Sequence, residues 1–350
     1  MTRPFDAGKL RLTGPAVPVA QNIGNSVQNL FSTSQTGVLT YVSEPTTIQN
    51  TTGQMTWLNR SGEKVGAVGT PGIYSTPALS PDGTRLAAAV GEHDKQGIWI
   101  YDLKRGTASR LTFNPANDLN PSWSPDGSQI LFSSTRGNGS FHIYEKAADG
   151  LGSEEPVSQS GDQQEAINDV SADGRYAIYD TGGTSDKTQL WAFPLSGDHK
   201  PFAFVQGNFG ASSAQFSSNG RYVAYASGET GRQEVYVQTF PQQTGKWQIS
   251  TSGGTEPMWR RDGRELFYLA PVENSSDIRV MSVAVNGGSA AFQVGIPKEL
   301  FRTQLIPLWL WRNVYATSPD GQRFLIVVPT SRAKPSSITV LVNWPALMKK

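Results

Sequence analysis

The chain has 350 residues, of which 36 are glycine and 22 proline; charged residues make up 17% and aromatic residues 10%. This composition excludes a disordered chain and argues against long helices, because apolar residues suffice for a core while helix breakers are frequent. Thirty basic against 29 acidic residues leave a formal charge of +1, which argues against a nucleic-acid partner, and the absence of cysteine excludes disulfides, thiolate metal sites and cysteine nucleophiles.

A four-residue motif recurs along the chain and is followed by an apolar run. Its glycines are separated by 43 to 47 residues, except for one interval of 58 before the last copy. A period of this length corresponds to the forty-odd residues of a four-stranded propeller blade. The seven copies are Ser34–Gly37, Ser80–Gly83, Ser124–Gly127, Ser171–Gly174, Ser217–Gly220, Arg260–Gly263 and Ser318–Gly321.

Each motif has the composition of a tight hairpin turn between two inner strands. Proline pre-sets φ, aspartate or asparagine bonds its own backbone, and glycine accepts a positive φ. A third strand, aromatic in most repeats, is predicted after each hairpin, and a glycine-bearing turn then leads to an outer fourth strand. In chain order the predicted third strands include Met55–Trp57, Ile98–Tyr101, Ile143–Tyr144, Leu190–Phe193, Val235–Val237 and Ile338–Val342.

The repeats predict an all-β protein, a seven-bladed β-propeller of four-stranded antiparallel blades, with six or eight blades as alternatives. The last repeat ends without a fourth strand, so we expect pairing of N- and C-terminal strands to close the ring and remove exposed edges. Residues 1–350 are predicted to form a single propeller domain. Its blade repeats are expected near 26–70, 71–114, 115–160, 161–206, 207–252, 253–303, and 304–350 together with 15–20.

The first twenty residues carry charges and prolines where a signal peptide needs an unbroken apolar stretch. No later window approaches eighteen apolar residues. The sequence therefore predicts neither a signal peptide nor a transmembrane segment, and no direct membrane insertion. These features leave the compartment undetermined.

One face of the predicted ring collects the variable loops, and the motif turns lie on the other face. Variable loops on a rigid frame are typical of binding surfaces. The interval of 58 enlarges a loop on the variable face, where two tryptophans and an arginine resemble interface anchors, although plugging or capping the ring is an alternative role. The candidate partner-binding residues, several placed near the channel mouth by equivalent position, are Trp309, Trp311, Arg312, Asp118, Asn120, Asn168, Asp169, Asn208 and Glu256.

No catalytic group, metal site or cofactor is predicted. His93 and His199 are expected in loops on opposite faces of the ring, which argues against a shared metal site. The aspartates of the motifs have a structural role in turns and recur too far apart to form a calcium site. The sequence also lacks the Gly-x-Ser-x-Gly elbow of propeller-linked hydrolases.

The repeat Pro121-Ser-Trp-Ser-Pro-Asp-Gly127, followed by Ile130-Leu-Phe and Ile143-Tyr144, resembles the WD-like propeller repeat of TolB-type proteins. Three further stretches resemble the propeller attached to certain bacterial membrane-anchored serine/threonine protein kinases, and such relatives would place the domain outside the cytoplasmic membrane. The kinase motifs themselves are missing, so the resemblance implies no kinase activity. The stretches are Gly245–Thr251, Glu256–Tyr268 and Ser336–Trp344.

These features favour a non-enzymatic binding or scaffold module that contacts a protein or peptide, or senses a ligand, as part of a larger signalling protein or derived from one. The alternative is a lyase or hydrolase of the propeller class with its site at the channel mouth. A purely structural ring is a third reading, since propellers host all three functions. Chemistry would require a converging acid and base, and the sequence offers only scattered titratable groups.

Overall fold

The structure is a computed structural model of the chain. The residues that it describes are 3, 5–6, 8–17, 19, 31–34, 36–42, 51–92, 94–137, 139–158, 163–181, 187–273, 275–288, 292–306, 313–330, 338–344 and 346.

The chain divides into two compact units, one formed by Met1–Thr51 with Arg332–Lys350 and the other by Thr52–Ser331. The first unit contains a two-stranded hairpin, β1-β2, and a three-stranded antiparallel sheet in the order β3-β4-β30. Strands are numbered in chain order across both units. Those of the first unit are β1 (Phe5–Asp6), β2 (Arg11–Leu12), β3 (Phe31–Thr33), β4 (Val38–Val42) and β30 (Ile338–Val342).

The second unit contains six antiparallel sheets, which we call blades 1 to 6. In the first three, four strands follow one another along the chain and across the sheet. Blade 1 comprises β7 (Tyr74–Leu79), β8 (Arg85–Val90), β9 (Gly97–Asp102) and β10 (Thr107–Arg110). Blade 2 comprises β11 (Asp118–Trp123), β12 (Gln129–Ser134), β13 (His142–Ala147) and β14 (Glu155–Pro156). Blade 3 comprises β15 (Ala166–Val170), β16 (Tyr176–Asp180), β17 (Leu190–Pro194) and β18 (Phe202–Val205).

Blades 4 and 5 repeat this order, except that two short strands share the outer position of blade 5 by pairing with β25. Blade 4 comprises β19 (Ala211–Phe216), β20 (Tyr222–Ser227), β21 (Glu234–Thr239) and β22 (Lys246–Gln248). Blade 5 comprises β23 (Thr255–Trp259), β24 (Glu265–Pro271), β25 (Asp277–Asn286), β26 (Gln293–Val294) and β27 (Lys298–Gln304).

Blade 6 joins the two ends of the second unit. Its order is β28-β29-β5-β6, so two strands come from each end of that unit. The central pair is antiparallel, with seven residue pairs from Arg323 opposite Asn59 to Pro329 opposite Gly53. The strands are β28 (Tyr315–Thr317), β29 (Arg323–Pro329), β5 (Gly53–Asn59) and β6 (Lys64–Gly72).

The predicted all-β propeller, with four-stranded antiparallel blades closed by N- and C-terminal strands, is confirmed. The second unit has six blades, the alternative number. The expected last repeat is corrected: the hairpin β28-β29 takes β5 as its third strand, whereas Ile338–Val342 pairs with β4 in the first unit. Of residues 15–20, the described ones, 15–17 and 19, contribute no strand to blade 6. Both β5 and the segment Ile338–Val342 have the composition of third strands. The local sequence does not indicate which hairpin each of them joins.

The innermost strands of the blades contact one another around the second unit. Contacts run from β7 to β11, β15, β19 and β23, and β28 returns to β7. Blades 5 and 6 meet through the ring of Phe324, which lies 5.0 Å from that of Phe267 and 5.4 Å from that of Phe301. Blades 1 and 2 are joined by a hydrogen bond, in which the indole N–H of Trp123 donates to the carbonyl of Ala78 at 2.9 Å.

The motif turns are held by a repeated set of hydrogen bonds. In blade 1 the hydroxyl of Ser80 donates to Asp82 at 2.6 Å, and the amide of Thr84 donates to the same carboxylate at 3.0 Å. The amide of Arg85 donates to the Ser80 hydroxyl, and Gly83 has a φ of +70°. These bonds, led by the one from Ser80, lower the pKa of Asp82 to about 2, so the motif aspartate is a turn element.

Among the described residues there is no helix with the length and apolar character needed to cross a bilayer.

The contact between blades 5 and 6 predicts a large effect of Phe324→Ala. Phe324 is fully buried between two phenylalanines, so truncation leaves a cavity at the closing blade and should lower the free energy of unfolding by about 3–5 kcal/mol. Chemical denaturation measures this change. Leu151→Ala is the control, because Leu151 is 70% exposed and its loss should cost little. Equal stability of the two variants would show that the contact contributes nothing to closure.

Candidate functional site

The innermost strands share a register irregularity near their starts. Blades 1 to 5 each show a shift in the pairing of the first two strands, for example between Leu119 and Ser122. A bulge of this kind bends a strand and redirects its side chains. The residues at or beside this position in blades 1 to 5 are Thr76, Asn120, Asn168, Ser213 and Glu256, and Asn313 has the equivalent place before the first strand of blade 6; all but Asn168 have positive φ.

These bulge residues bind one another from blade to blade. The amide of Asn120 donates to the hydroxyl of Thr76 at 3.2 Å. Glu256 accepts the Ser213 hydroxyl on Oε1 at 2.6 Å and the amide of Asn313 on Oε2 at 2.7 Å. The carboxylate of Glu256 therefore connects blades 4 and 6 from its position in blade 5.

Asn313 also spans the ring. Its Nδ2 donates to the carbonyl of Asn168 at 3.1 Å. Asn313 lies two residues before the start of β28 of blade 6, and Asn168 lies in β15 of blade 3, three blades away in a ring of six. The channel is therefore crossed by a side chain at the level of the bulges.

Several predicted binding residues thus have structural contacts. Asn168 and Glu256 are brought together through Asn313, as equivalent position in the repeats suggested. Asp118 is fully buried and paired with Arg136 at 3.0 Å, and burial raises the pKa of the Asp118 carboxyl despite that neighbour. Asn120 is also buried, and its Oδ1 has no hydrogen-bond partner.

The remaining predicted residues do not join this group. Asn208 is exposed in the loop between β18 and β19. Trp309, Trp311 and Arg312 lie outside the residues that the structure describes. Their role as interface anchors stays a prediction.

Asp169, the neighbour of the blade 3 bulge, has a strongly perturbed environment. Its Oδ2 accepts the amide of Phe216 at 2.8 Å. Removal from water raises the pKa of the Asp169 carboxyl to about 7, against the lowering effect of bonds from the amides of Phe216 and Val170. A carboxyl group with a raised pKa beside a cavity is a candidate functional group.

A cavity of about 530 Å³ occupies the channel on the side of the motif turns. Its wall is formed by the ends of all six innermost strands and the first residues of the turns that follow them. The lining includes Trp123, Met258, Trp259, Asp169 and the exposed Arg261. Apolar walls with a few polar groups are typical of ligand sites.

Sequence reasoning missed this cavity because it assigned the motif turns a purely structural role and sought binding on the opposite face. The sequence did contain an indication of this cavity. The residue directly before the motif is large and apolar in four copies, and the structure places all four in the cavity wall. These residues are Leu79, Trp123, Phe216 and Trp259.

The titratable groups of the cavity wall do not form an acid and base pair. Asp169 is the only carboxyl group among the described lining residues, and the other ionisable ones are Arg260 and Arg261. Arg260 is bound to Asp262 and Glu265. Across the described part of the chain, no group of three or more histidine, aspartate or glutamate side chains could hold a metal ion.

Comparison with known proteins agrees with this architecture. The TolB beta propeller domain family matches residues 39–200. A structure assigned as TolB from Agrobacterium tumefaciens has a TM-score of 0.65 at 18% identity and covers 81% of this chain and 99% of its own. TolB from Acinetobacter baumannii has a TM-score of 0.53 at 17% identity, with coverage of 73% and 68%. At such identities the structures show the fold.

A curated relative, the uncharacterized peptidase YuxL of Bacillus subtilis, is 31% identical over 80 residues. The match covers 21% of this chain and only 12% of that protein.

The contacts of Glu256 predict that Glu256→Ala destabilises the protein. Loss of the carboxylate leaves the amide of Asn313 and the hydroxyl of Ser213 without their acceptor, which should lower the free energy of unfolding by about 3 kcal/mol. Limited proteolysis should also cleave faster near residue 313. The exposed Glu273→Ala is the control. Unchanged stability and cleavage of Glu256→Ala would contradict the ring-binding role.

The raised pKa of Asp169 predicts a pH-dependent effect of Asp169→Asn. Between about pH 4 and 7 the folded wild type holds a proton that the unfolded chain releases, so wild-type stability falls as pH rises through this window. The asparagine variant lacks this titration. Its stability relative to wild type should therefore increase from pH 4 to pH 8, as measured by urea denaturation. A difference that is constant with pH would show that Asp169 titrates normally.

Proposed function

The chain carries a TolB-type β-propeller domain, and from this premise we propose that it is a non-enzymatic binding module. The module binds a partner protein or peptide, and a segment of this partner enters the channel cavity on the motif-turn face. The observation that carries this proposal is the cavity itself, whose wall combines six strand ends with a single carboxyl group.

The lining of the cavity suits a peptide anchor. Its volume of about 530 Å³ lies within the range of small-ligand sites. Apolar surface from Met258 and Trp259 would receive a side chain, while the exposed guanidinium of Arg261 offers charge-assisted hydrogen bonds to a carboxylate. Because the indole of Trp259 is fixed by a bond to the carbonyl of Gln215 at 3.1 Å, the wall is pre-organised for binding.

The enzymatic alternative has less support. General acid and base catalysis needs two groups within reach of one substrate, and Asp169 has no such companion among the described lining residues. The peptidase relative matches over only 80 residues, so its name supports no peptidase activity for this chain.

The wider setting is also proposed. The resemblance of three segments to kinase-linked propellers supports a role as the sensing or interaction part of a larger signalling protein. The same resemblance favours a location outside the cytoplasmic membrane.

The proposal predicts that filling the channel rim abolishes partner capture. Ser218 is exposed in the cavity wall, so Ser218→Trp combined with Arg261→Glu should block entry and reverse the local charge. Pull-down from lysate and envelope fractions, after circular dichroism confirms folding, should show a partner retained by wild type and lost by this variant. Ser252→Trp, on an exposed loop between blades 4 and 5, is the matched control and should retain the partner.

A second variant separates the two faces. Trp309→Ala, Trp311→Ala and Arg312→Ala together alter the loop that the sequence singled out. Loss of the partner in this variant alone would place the site on the loop face and contradict the channel site. Turnover of a substrate that depends on Asp169 would instead support the enzymatic alternative.

A further inference from the structure

A second cavity lies between blades 2 and 3 and adjoins the channel cavity, with which it shares the lining residues Pro125, Val170 and Ala172. It is a groove of about 1110 Å³. One side is formed by the motif turn and outer strand of blade 2, and the other by the motif turn of blade 3 and its turn at Leu195–Pro201. The groove is about twice the volume of the channel cavity.

The groove lies at an interface where, among the described residues, aromatic rings of one blade do not pack against those of the other. Between blades 3 and 4 the rings of Tyr176 and Phe240 pack at 5.1 Å, and large aromatic side chains also join blades 5 and 6. Blades 2 and 3 meet in a cluster in which Leu131 and Ile143 of blade 2 pack with Val170, Tyr179 and Phe193 of blade 3. Among the described residues no aromatic ring pair spans this interface.

The lining of the groove is strongly acidic. Its basic side chains among the described residues are Lys200 and His199. Hydrogen bonds from the hydroxyl of Ser124 and from Ser128 lower the pKa of Asp126 to about 2, so this carboxylate stays ionised. The five carboxyl groups of the lining belong to Asp126, Glu145, Glu165, Asp173 and Asp198.

Glu165 marks where a ligand group would be received. It is fully buried in the wall of the groove. Its Oε2 accepts the hydroxyl of Ser158 and lies 3.7 Å from Nδ1 of His142, but its Oε1 has no hydrogen-bond partner. A buried carboxylate oxygen without a donor is costly, and an incoming cation would offset that cost.

We infer that this groove binds a basic segment of a partner protein, with a lysine or arginine side chain directed at Glu165. Charge complementarity supports this occupant, since five carboxyl groups face one lysine and one histidine among the described lining residues. The apolar groups of Leu131, Val157 and Phe193 in the same wall favour a peptide over a free polyamine, because a polyamine has no side chains to place against them. Although the groove shares part of its wall with the channel cavity, none of its five carboxyl groups lines the channel, so its role does not depend on the channel site.

The probe is a fluorescein-labelled Lys-Val-Lys-Val-Lys peptide, and its binding to the full chain is followed by fluorescence anisotropy at low ionic strength. We expect Glu145→Gln combined with Asp198→Asn to weaken binding at least about tenfold, and added salt to weaken wild-type binding because the contacts are partly exposed. Glu165→Gln should weaken binding as well. The double variant changes two surface groups, so the test does not depend on altering the buried residue.

Glu273→Gln is the matched control, because Glu273 is exposed on blade 5 and its replacement changes charge without touching the groove. The variant Ser218→Trp with Arg261→Glu should bind the probe like wild type, which separates this site from the channel. The inference is overturned if wild type fails to bind the probe, if the double variant binds it equally, or if a Glu-Val-Glu-Val-Glu peptide binds as tightly. Competition by spermidine at equal affinity would overturn the peptide as occupant.

Discussion

The antiparallel pairing of β29 with β5 is the constraint on which the second unit depends. Five blades can form by local folding of consecutive strands, but the sixth requires strands that are more than 250 residues apart in the chain. This pairing places β28 between blades 5 and 1. It thereby positions Asn313 where its amide reaches Glu256 and its side chain reaches Asn168. Without closure, the bulge residues would lack these partners and the channel wall would be missing one of its six strands.

Local features of the fold could be predicted because their causes are local. The motif turn depends on contacts within six residues, from Ser80 to Arg85 in blade 1, so its hairpin could be read directly from the sequence. The pairing of a hairpin with a third strand from a distant part of the chain could not be predicted from local sequence. Met55–Trp57 and Ile338–Val342 are both short apolar runs, and which hairpin each joins is decided by closure of the whole chain.

The candidate site shows the same division. Equivalent position in the repeats predicted that Asn168 and Glu256 lie near each other, because each blade repeats one geometry, and in the structure both bind Asn313. Their hydrogen bonds to Asn313 arise only when blades 3, 5 and 6 are assembled, so sequence could not show that these polar groups are already occupied. Asp118 was placed near the mouth by the same logic, and its pairing with Arg136 depends on packing in blade 2.

The two cavities follow from how the repeats pack. Where the innermost strands converge, their apolar ends line the channel cavity, and the exposed cation in its wall is Arg261. Where blades 2 and 3 meet, the gap is lined by carboxylates, among them Glu165 with an unpartnered oxygen. Because these sites carry opposite charge, they would select chemically different segments. The net charge of the chain is nearly neutral although the two cavities carry charges of opposite sign. A single partner with an acidic and a basic segment could therefore bind at both cavities.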